Sequence, residues 1–390
     1  MMVFFMIFSS FLAAVYAYTG FRLIPSLVPK GYRFMAWILL FCCLGLLMAH
    51  IYLRVTFQFP RLSDLFGWIG YTALGAISYL ACLCIFRDFV IILSLSAVKI
   101  RQIFSRPKSL SVFNPQRRQF LFKSSSVAIA AASGTAVGTG FVKALKTPEV
   151  IHVPIRLNRK HQALSGLTIA QFCDLHVGPT VQYPYVKQVC DTIERLNPDL
   201  IVFTGDLADG SPGHLDHDVS PLGDLKAPLG KYFVTGNHEY YSGVNRWLRK
   251  ADTLGFVPLI NEHRVLSSHK GLLTLGGVTD IRAGAFFNSH NSSPKKAFAG
   301  SPQDSFKLLL AHQPTSIYEA ANLGVDLQLS GHTHGGQYFP FGWFVLLEHP
   351  FIKGIYKHKN TQLYVSQGTG YWGPPLRIGT FPEITLFTLT

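Results

Sequence analysis

Leu167-Thr168-Ile169-Ala170-Gln171-Phe172-Cys173-Asp174-Leu175-His176 is a short apolar run that stops at two metal-ligand residue types. The run reads as a buried β-strand, and the Asp-x-His at its end reads as part of a site. The same form recurs along the chain. Asp199–Thr204 ends in Gly205-Asp206, and Lys231–Thr235 ends in Gly236-Asn237-His238-Glu239. Phe306–Ala311 ends in His312, and Val325–Ser330 ends in Gly331-His332-Thr333-His334. Between these runs, Tyr185–Leu196, Val244–Leu254 and Ser316–Asn322 read as helices. Alternating strands and helices predict an α/β fold with side chains gathered at the carboxyl ends of its strands.

Any one of these groups is weak evidence, because short motifs match by chance. Five in one chain, each closing a strand, are not five coincidences. The residue types also suit one chemistry. Carboxylate and amide oxygens join imidazole nitrogens, with no thiolate, which points to Mn, Fe or Zn and away from an all-sulfur structural zinc site. Two such ions about 3.5–4 Å apart can share a carboxylate and a hydroxide, and the hydroxide is then a nucleophile near neutral pH.

In this order the blocks resemble the calcineurin-like metallophosphoesterases, from Leu167 to about Gln337. The extended Gly331-His332-Thr333-His334-Gly335-Gly336-Gln337, with Val365–Gly370, Pro374–Arg377 and Pro382–Ile384, is similar to the membrane-anchored or twin-arginine-exported branch. The resemblance implies a four-layer β-sandwich, two mixed sheets flanked by helices. It implies that Asp174, His176 and His334 bind one metal, that Asn237, His312 and His332 bind a second, and that Asp206 bridges them. His238 is then catalytic, stabilising the transition state or protonating the leaving oxygen. Cys173 stands where the family commonly has Ser, and reads as a packing residue. Asp209 reads as a support to the ligands or as a solvated carboxylate.

Weaker readings surround this set. The polar stretch Gly213–Ser220, with His214 and His217, reads as a solvated loop. Tyr338, Phe339, Phe341, Trp343 and Phe344 read either as core or as an apolar lip at a bilayer interface. Tyr371, Trp372 and Arg377 are expected to line the mouth, with Arg377 binding phosphate.

Upstream of residue 149 the chain changes character. Val3–Tyr18, Phe34–Leu53 and Leu65–Phe86 are apolar all round, and the length that spans a bilayer is about 20 residues. Phe89–Val98 reads as an extension of the third run or as an interfacial segment. Gln116-Arg117-Arg118-Gln119-Phe120-Leu121-Phe122-Lys123, followed by the small-residue run Ser124–Gly140, resembles a twin-arginine export signal. The competing reading is a basic patch before a fourth helix; both put a fourth crossing here. The expected domains are therefore 1–100, a transmembrane region; 101–148, a basic segment with a fourth apolar run; and 149–390, the phosphoesterase domain.

Charge agrees with this division. Of the net +14, residues 1–148 hold +13, from 15 Lys+Arg against Asp64 and Asp88. Residues 149–390 hold 20 basic and 19 acidic residues, so no basic groove for nucleic acid is expected there. Arg22, Lys30 and Arg33 follow the first run. Lys99, Arg101, Arg106, Lys108, Arg117, Arg118 and Lys123 follow the third. The positive-inside tendency puts both groups in the cytoplasm and the globular domain on the extracytoplasmic face. The six cysteines show no framework of paired spacings.

The expected function is hydrolysis of a phosphate ester by a membrane-anchored dinuclear-metal enzyme. Its expected partners are the lipid bilayer and a phosphodiester or pyrophosphate of a lipid or envelope component, with no nucleic acid. The alternatives are a phosphomonoesterase on small soluble substrates and a catalytically silent scaffold. Loss of a ligand would favour the scaffold, and none is lost. A transporter with an accessory domain is disfavoured, because the apolar runs carry no series of charges that would mark an ion path.

Overall fold

The computed structural model describes residues 2–55, 60–104, 114–268 and 271–390. The chain divides into two compact units, one through Thr139 and one from Gly140 to Thr390.

The first unit is helical: α1 (Met2–Leu27), α2 (Arg33–Val55), α3 (Pro60–Phe104) and most of α4 (Pro115–Ala144). All four are long and apolar enough to cross a membrane. Leu12, Tyr16, Leu44, Leu47 and Ile77 pack inward, whereas Phe34, Leu39 and Phe86 stand more than half exposed. Apolar residues on both faces fit a helix surrounded by hydrocarbon. Phe89–Val98 extends the third run, because α3 continues unbroken through Arg87 and Asp88. Partners in neighbouring helices make those charges tolerable. Arg22 lies 2.8 Å from Asp88, the Tyr18 hydroxyl donates to Asp88 over 2.7 Å, and Arg87 donates to Ser126 Oγ over 3.0 Å. Arg117 and Arg118 lie exposed in the first turns of α4. Arg106 and Lys108 fall outside the described residues.

The second unit starts at Gly140, inside α4, where the sequence suggested 149. The reason is packing: Ala144 is fully buried in this unit's core, and the Gly140 carbonyl accepts from Arg377 N over 3.0 Å. Then follow β1 (Glu149–Ile155), β2 (Thr168–Phe172), α5 (Tyr183–Leu196), β3 (Leu200–Phe203), α6 (Pro212–Val219), β4 (Lys231–Phe233), α7 (Asn237–Ser242), α8 (Val244–Thr253) and β5 (Val257–Pro258). After these come β6 (Glu262–Ser268), β7 (Gly271–Gly277), α9 (Pro294–Ala297), β8 (Phe306–Leu310), α10 (Ile317–Ala320) and β9 (Leu327–Ser330). The chain closes with α11 (Gly342–Glu348), β10 (Gly354–His358), β11 (Thr361–Val365) and β12 (Glu383–Leu389).

Two six-stranded sheets result, ordered β1-β12-β2-β3-β4-β5 and β10-β11-β9-β8-β7-β6. Both are mixed, since β12 runs antiparallel to β2 while β2, β3 and β4 are parallel. In the other sheet β7, β8 and β9 are parallel and β6 is antiparallel to β7. The period of two along a strand assigns side chains to layers. In β3, Leu200 and Val202 face the core shared by the two sheets, while Ile201 and Phe203 face the core that also holds Ile193 of α5 and Trp247 of α8. In β8, Leu308 and Leu310 face the shared core, and Leu309 packs with Ala297 of α9 and Ala320 of α10. The arrangement is helix, sheet, sheet, helix, the α/β sandwich expected from the sequence. The carboxyl ends of β2, β3, β4, β8 and β9 all open toward one site.

Candidate metal centre

Each of these strands is a little shorter than its apolar run, because the chain turns as it delivers its ligands. Asp174 (φ 52°) and His176 (φ 51°) follow β2, Asp206 (φ 57°) follows β3, and His332 (φ 73°) and His334 (φ 50°) follow β9. Nine described non-glycine residues have positive φ, and five of them are these. Such backbone costs on the order of 1–3 kcal/mol per residue and persists only where the surroundings hold it, so strain is concentrated here. Glycines permit the close approach. A Cβ on Gly205 (φ +90°) would lie 2.7 Å from His312 Nδ1, and one on Gly331 would lie 2.2 Å from Asp174 Oδ2.

The turns bring the singled-out residues together in overlapping groups. Ligand atoms of Asp174, His176 and His334 lie within 4.8 Å of one another, as do those of Asp206, His312 and His332, and those of His176, Asp206 and His238. Asp206 Oδ2 lies 3.2 Å from His312 Nε2 and 3.7 Å from His176 Nε2, so one carboxylate reaches both ends of the site. His238 opens α7 beside Asn237, and its backbone N–H donates to Asp206 Oδ1 over 2.9 Å.

Three features show that these residues fit divalent cations. His176 Nε2 faces His334 Nε2 at 3.0 Å, and His332 Nδ1 faces His312 Nε2 at 3.1 Å. At that spacing each pair either shares one N–H as donor and acceptor or turns two lone pairs toward a common cation. Asn237 Oδ1 is buried without a hydrogen-bond partner, which costs about 1–3 kcal/mol unless a cation satisfies it. The donors are oxygens and imidazole nitrogens, the set that Mn, Fe and Zn accept.

Electrostatics sharpens the picture. Burial raises the Asp206 carboxyl, but the His312, His238 and His176 charges outweigh it and hold Asp206 well below the usual carboxylate range. Burial and the neighbouring His312 push His332 well below the ordinary imidazole range; burial and His176 do the same to His334. Imidazoles kept neutral keep a lone pair for a metal.

Two residues beyond the proposed ligands organise the site. Asp209 is buried and pairs with both His176 Nδ1, at 3.2 Å, and His238 Nδ1. Of its two sequence readings, the structure favours support to the ligands. Glu239 is fully buried and accepts from Gly236 N (2.7 Å), Asp206 N (3.1 Å) and Leu207 N (2.8 Å). It thereby locks the loop after β3 to the start of α7. A Glu two residues after Asn237, at the third position of a helix, is a capping-box signal that could have revealed it.

Arg377 corrects an expectation. Its side chain is fully buried, so it does not line the mouth for phosphate. Its guanidinium donates to the carbonyls of His334 (2.8 Å), Gln367 (2.7 Å), Gly368 (3.1 Å) and Gly370. Burial lowers its pKa to about 10. It positions the loop that carries His334. Tyr371 is likewise buried, and only Trp372 of that trio is exposed, its ring 5.9 Å from that of His238. Cys173 is fully buried and burial pushes its thiol well above the ordinary range, as a packing residue requires. Gly213–Ser220 is not a loop but mostly α6, because Leu215 and Val219 bury one helical face; His214 and His217 stay in solvent.

A family model described as calcineurin-like phosphoesterase matches residues 167–336. Among curated proteins, the chain is similar to the transmembrane protein with metallophosphoesterase domain of Bos taurus. They are 35% identical over 336 residues, covering 83% of this chain and 74% of that one. The protein of that name in Danio rerio is 36% identical over 258 residues, and the match spans 64% of this chain but only 59% of the relative's length. Among solved structures, the Haemophilus influenzae NAD nucleotidase is similar at 14% identity and a TM-score of 0.37, over 53% of this chain and 45% of that one.

Proposed function

Since this chain belongs to the calcineurin-like phosphoesterase family and is a metal-dependent phosphoester hydrolase, we propose that it cleaves a phosphodiester or pyrophosphate in a lipid or envelope component. The catalytic unit is held at the membrane by α1–α4 and works on the extracytoplasmic face. Four apolar helices of spanning length support the anchoring, and the Lys and Arg that follow the first and third runs support the orientation.

The observation that carries the reading is the convergence of Asp174, His176, Asp206, His312, His332 and His334 on one site, and the buried Asn237 Oδ1, next in sequence to His238, is left without a hydrogen-bond partner. Asp174, His176 and His334 would hold one divalent ion and Asn237, His312 and His332 the other, with Asp206 between them. Mn, Fe and Zn all suit this set. Such a pair supplies Lewis acidity to phosphoryl oxygens and lowers the pKa of water toward neutrality. The chain's own residues do the rest. His312 Nδ1 donates to the Thr204 carbonyl over 2.8 Å, which turns Nε2 toward Asp206. Asp209 accepts from His238 Nδ1, which leaves His238 Nε2 to face the reacting phosphate and hand a proton to the departing oxygen. Arg377 holds the His334 loop in register. The near-neutral net charge of residues 149–390 suits a small or lipid phosphoester rather than a nucleic acid.

The test compares bis-p-nitrophenyl phosphate with p-nitrophenyl phosphate, using the full chain in detergent, metal-free and with Mn, Zn or Fe. Faster turnover of the diester is expected. Faster turnover of the monoester would move the reading to a phosphomonoesterase, and metal-loaded protein inert to both would favour a silent scaffold.

A further inference from the structure

We propose that exposed apolar side chains around the mouth of the metal centre form a lip that seats in the bilayer interface and receives the hydrocarbon end of an amphiphilic phosphoester. This rests on the hydrolase reading above and adds the physical form of the substrate: it is presented by a membrane rather than dissolved in water.

One side of the lip is α11, none of whose seven residues is buried. Trp343, Phe344 and Leu347 are 66%, 62% and 85% exposed. The helix is tied to the metal centre at both ends. It begins eight residues after His334, and His349, which caps its C-terminus, is buried with its ring 4.9 Å from that of His332. The other side is Trp372, Tyr241 and Phe286, all substantially exposed. The rings of Trp372 and Tyr241 lie 5.9 Å and 5.3 Å from that of His238, and the Phe286 ring lies 5.8 Å from Tyr241. Arg282 and Glu348 pair at 2.5 Å and join the two sides.

A phosphorus beside His238 would therefore sit among apolar groups that a small soluble ester cannot use. Exposed apolar clusters of this kind mark a binding surface. The bilayer is the occupant for two reasons. The same chain carries four helices of membrane-spanning length, so the unit is covalently tied to whatever membrane they enter. The composition of α11 is also that of an interfacial segment, Trp, Phe and Leu with a single charge, Glu348, which Arg282 neutralises.

The experiment uses the full chain reconstituted in phosphatidylcholine vesicles. Turnover of dissolved p-nitrophenyl methyl phosphate is compared with that of p-nitrophenyl hexadecyl phosphate carried in the vesicles. In Leu347→Glu the hexadecyl-to-methyl ratio should fall about tenfold, the loss expected for one buried apolar side chain, whereas Leu347→Phe should keep it. Independently, brominated lipid should quench the fluorescence that Trp343→Phe removes. An unchanged ratio in Leu347→Glu overturns the lip, and so does an unquenched Trp343. If wild type cleaves neither ester, the hydrolase reading fails instead, and the quenching arm alone decides the lip.

Discussion

The two units of this chain bury apolar surface in opposite ways. In the helical unit, large side chains such as Phe34, Leu39 and Phe86 point outward, and a few polar groups pair inside. In the sandwich, alternate residues of each strand fill two packed cores, and the strand ends carry the charged groups. The first unit depends on composition, since almost any apolar residue would fit a face that meets hydrocarbon in the proposed membrane anchor. The second depends on position, since five of the seven donors sit at positive φ, on turns that few backbones allow.

That difference predicts a graded series of responses. Asp206→Asn should lower kcat for bis-p-nitrophenyl phosphate by roughly 10³-fold or more, because one carboxylate reaches both ends of the site. Steady-state kinetics with saturating metal tests it, and activity within tenfold of wild type would break the positional account. His238→Ala should lower kcat roughly 10²–10⁴-fold, the usual worth of a general acid. Because the seven ligands would remain, bound metal measured by elemental analysis should be unchanged.

How much of this the sequence discloses also follows the comparison. The five strand ends are legible because metal-ligand residue types recur, in a fixed order, just where short, mostly apolar runs stop. The helical unit is legible because length and composition alone decide it. Arg377 is misread because a basic residue after Pro374-Pro375 looks like surface, and only the folded loop supplies the four carbonyls that bury it. α6 is missed because its apolar face is only Leu215 and Val219, too few to show a helical period. Asp209 is ambiguous because its partners, His176 and His238, lie 33 and 29 residues away.

Two smaller effects sharpen the comparison further. Arg377→Met should destabilise the sandwich by about 3 kcal/mol by leaving buried carbonyls without donors. Its melting temperature should fall, and with the His334 loop loosened, metal affinity should fall too. A variant that melts normally would place Arg377 outside the supporting framework. At the other extreme, Leu39→Val in the helical unit should change stability by less than about 0.5 kcal/mol, as an outward residue in a compatible environment does. Its vesicle-reconstituted activity should equal wild type, and a large loss would show that position matters there as well.

The central claim is that seven side chains from five strand ends hold a pair of catalytic ions. Its most direct measurement is the metal content of the full chain, stripped with chelator and reloaded with Mn, Zn or Fe, by elemental analysis alongside turnover of bis-p-nitrophenyl phosphate. The account predicts two ions per chain, with turnover that rises as the second ion binds and disappears in Asp206→Asn. A chain that binds no ion, or that cleaves the ester equally well when stripped, would contradict it.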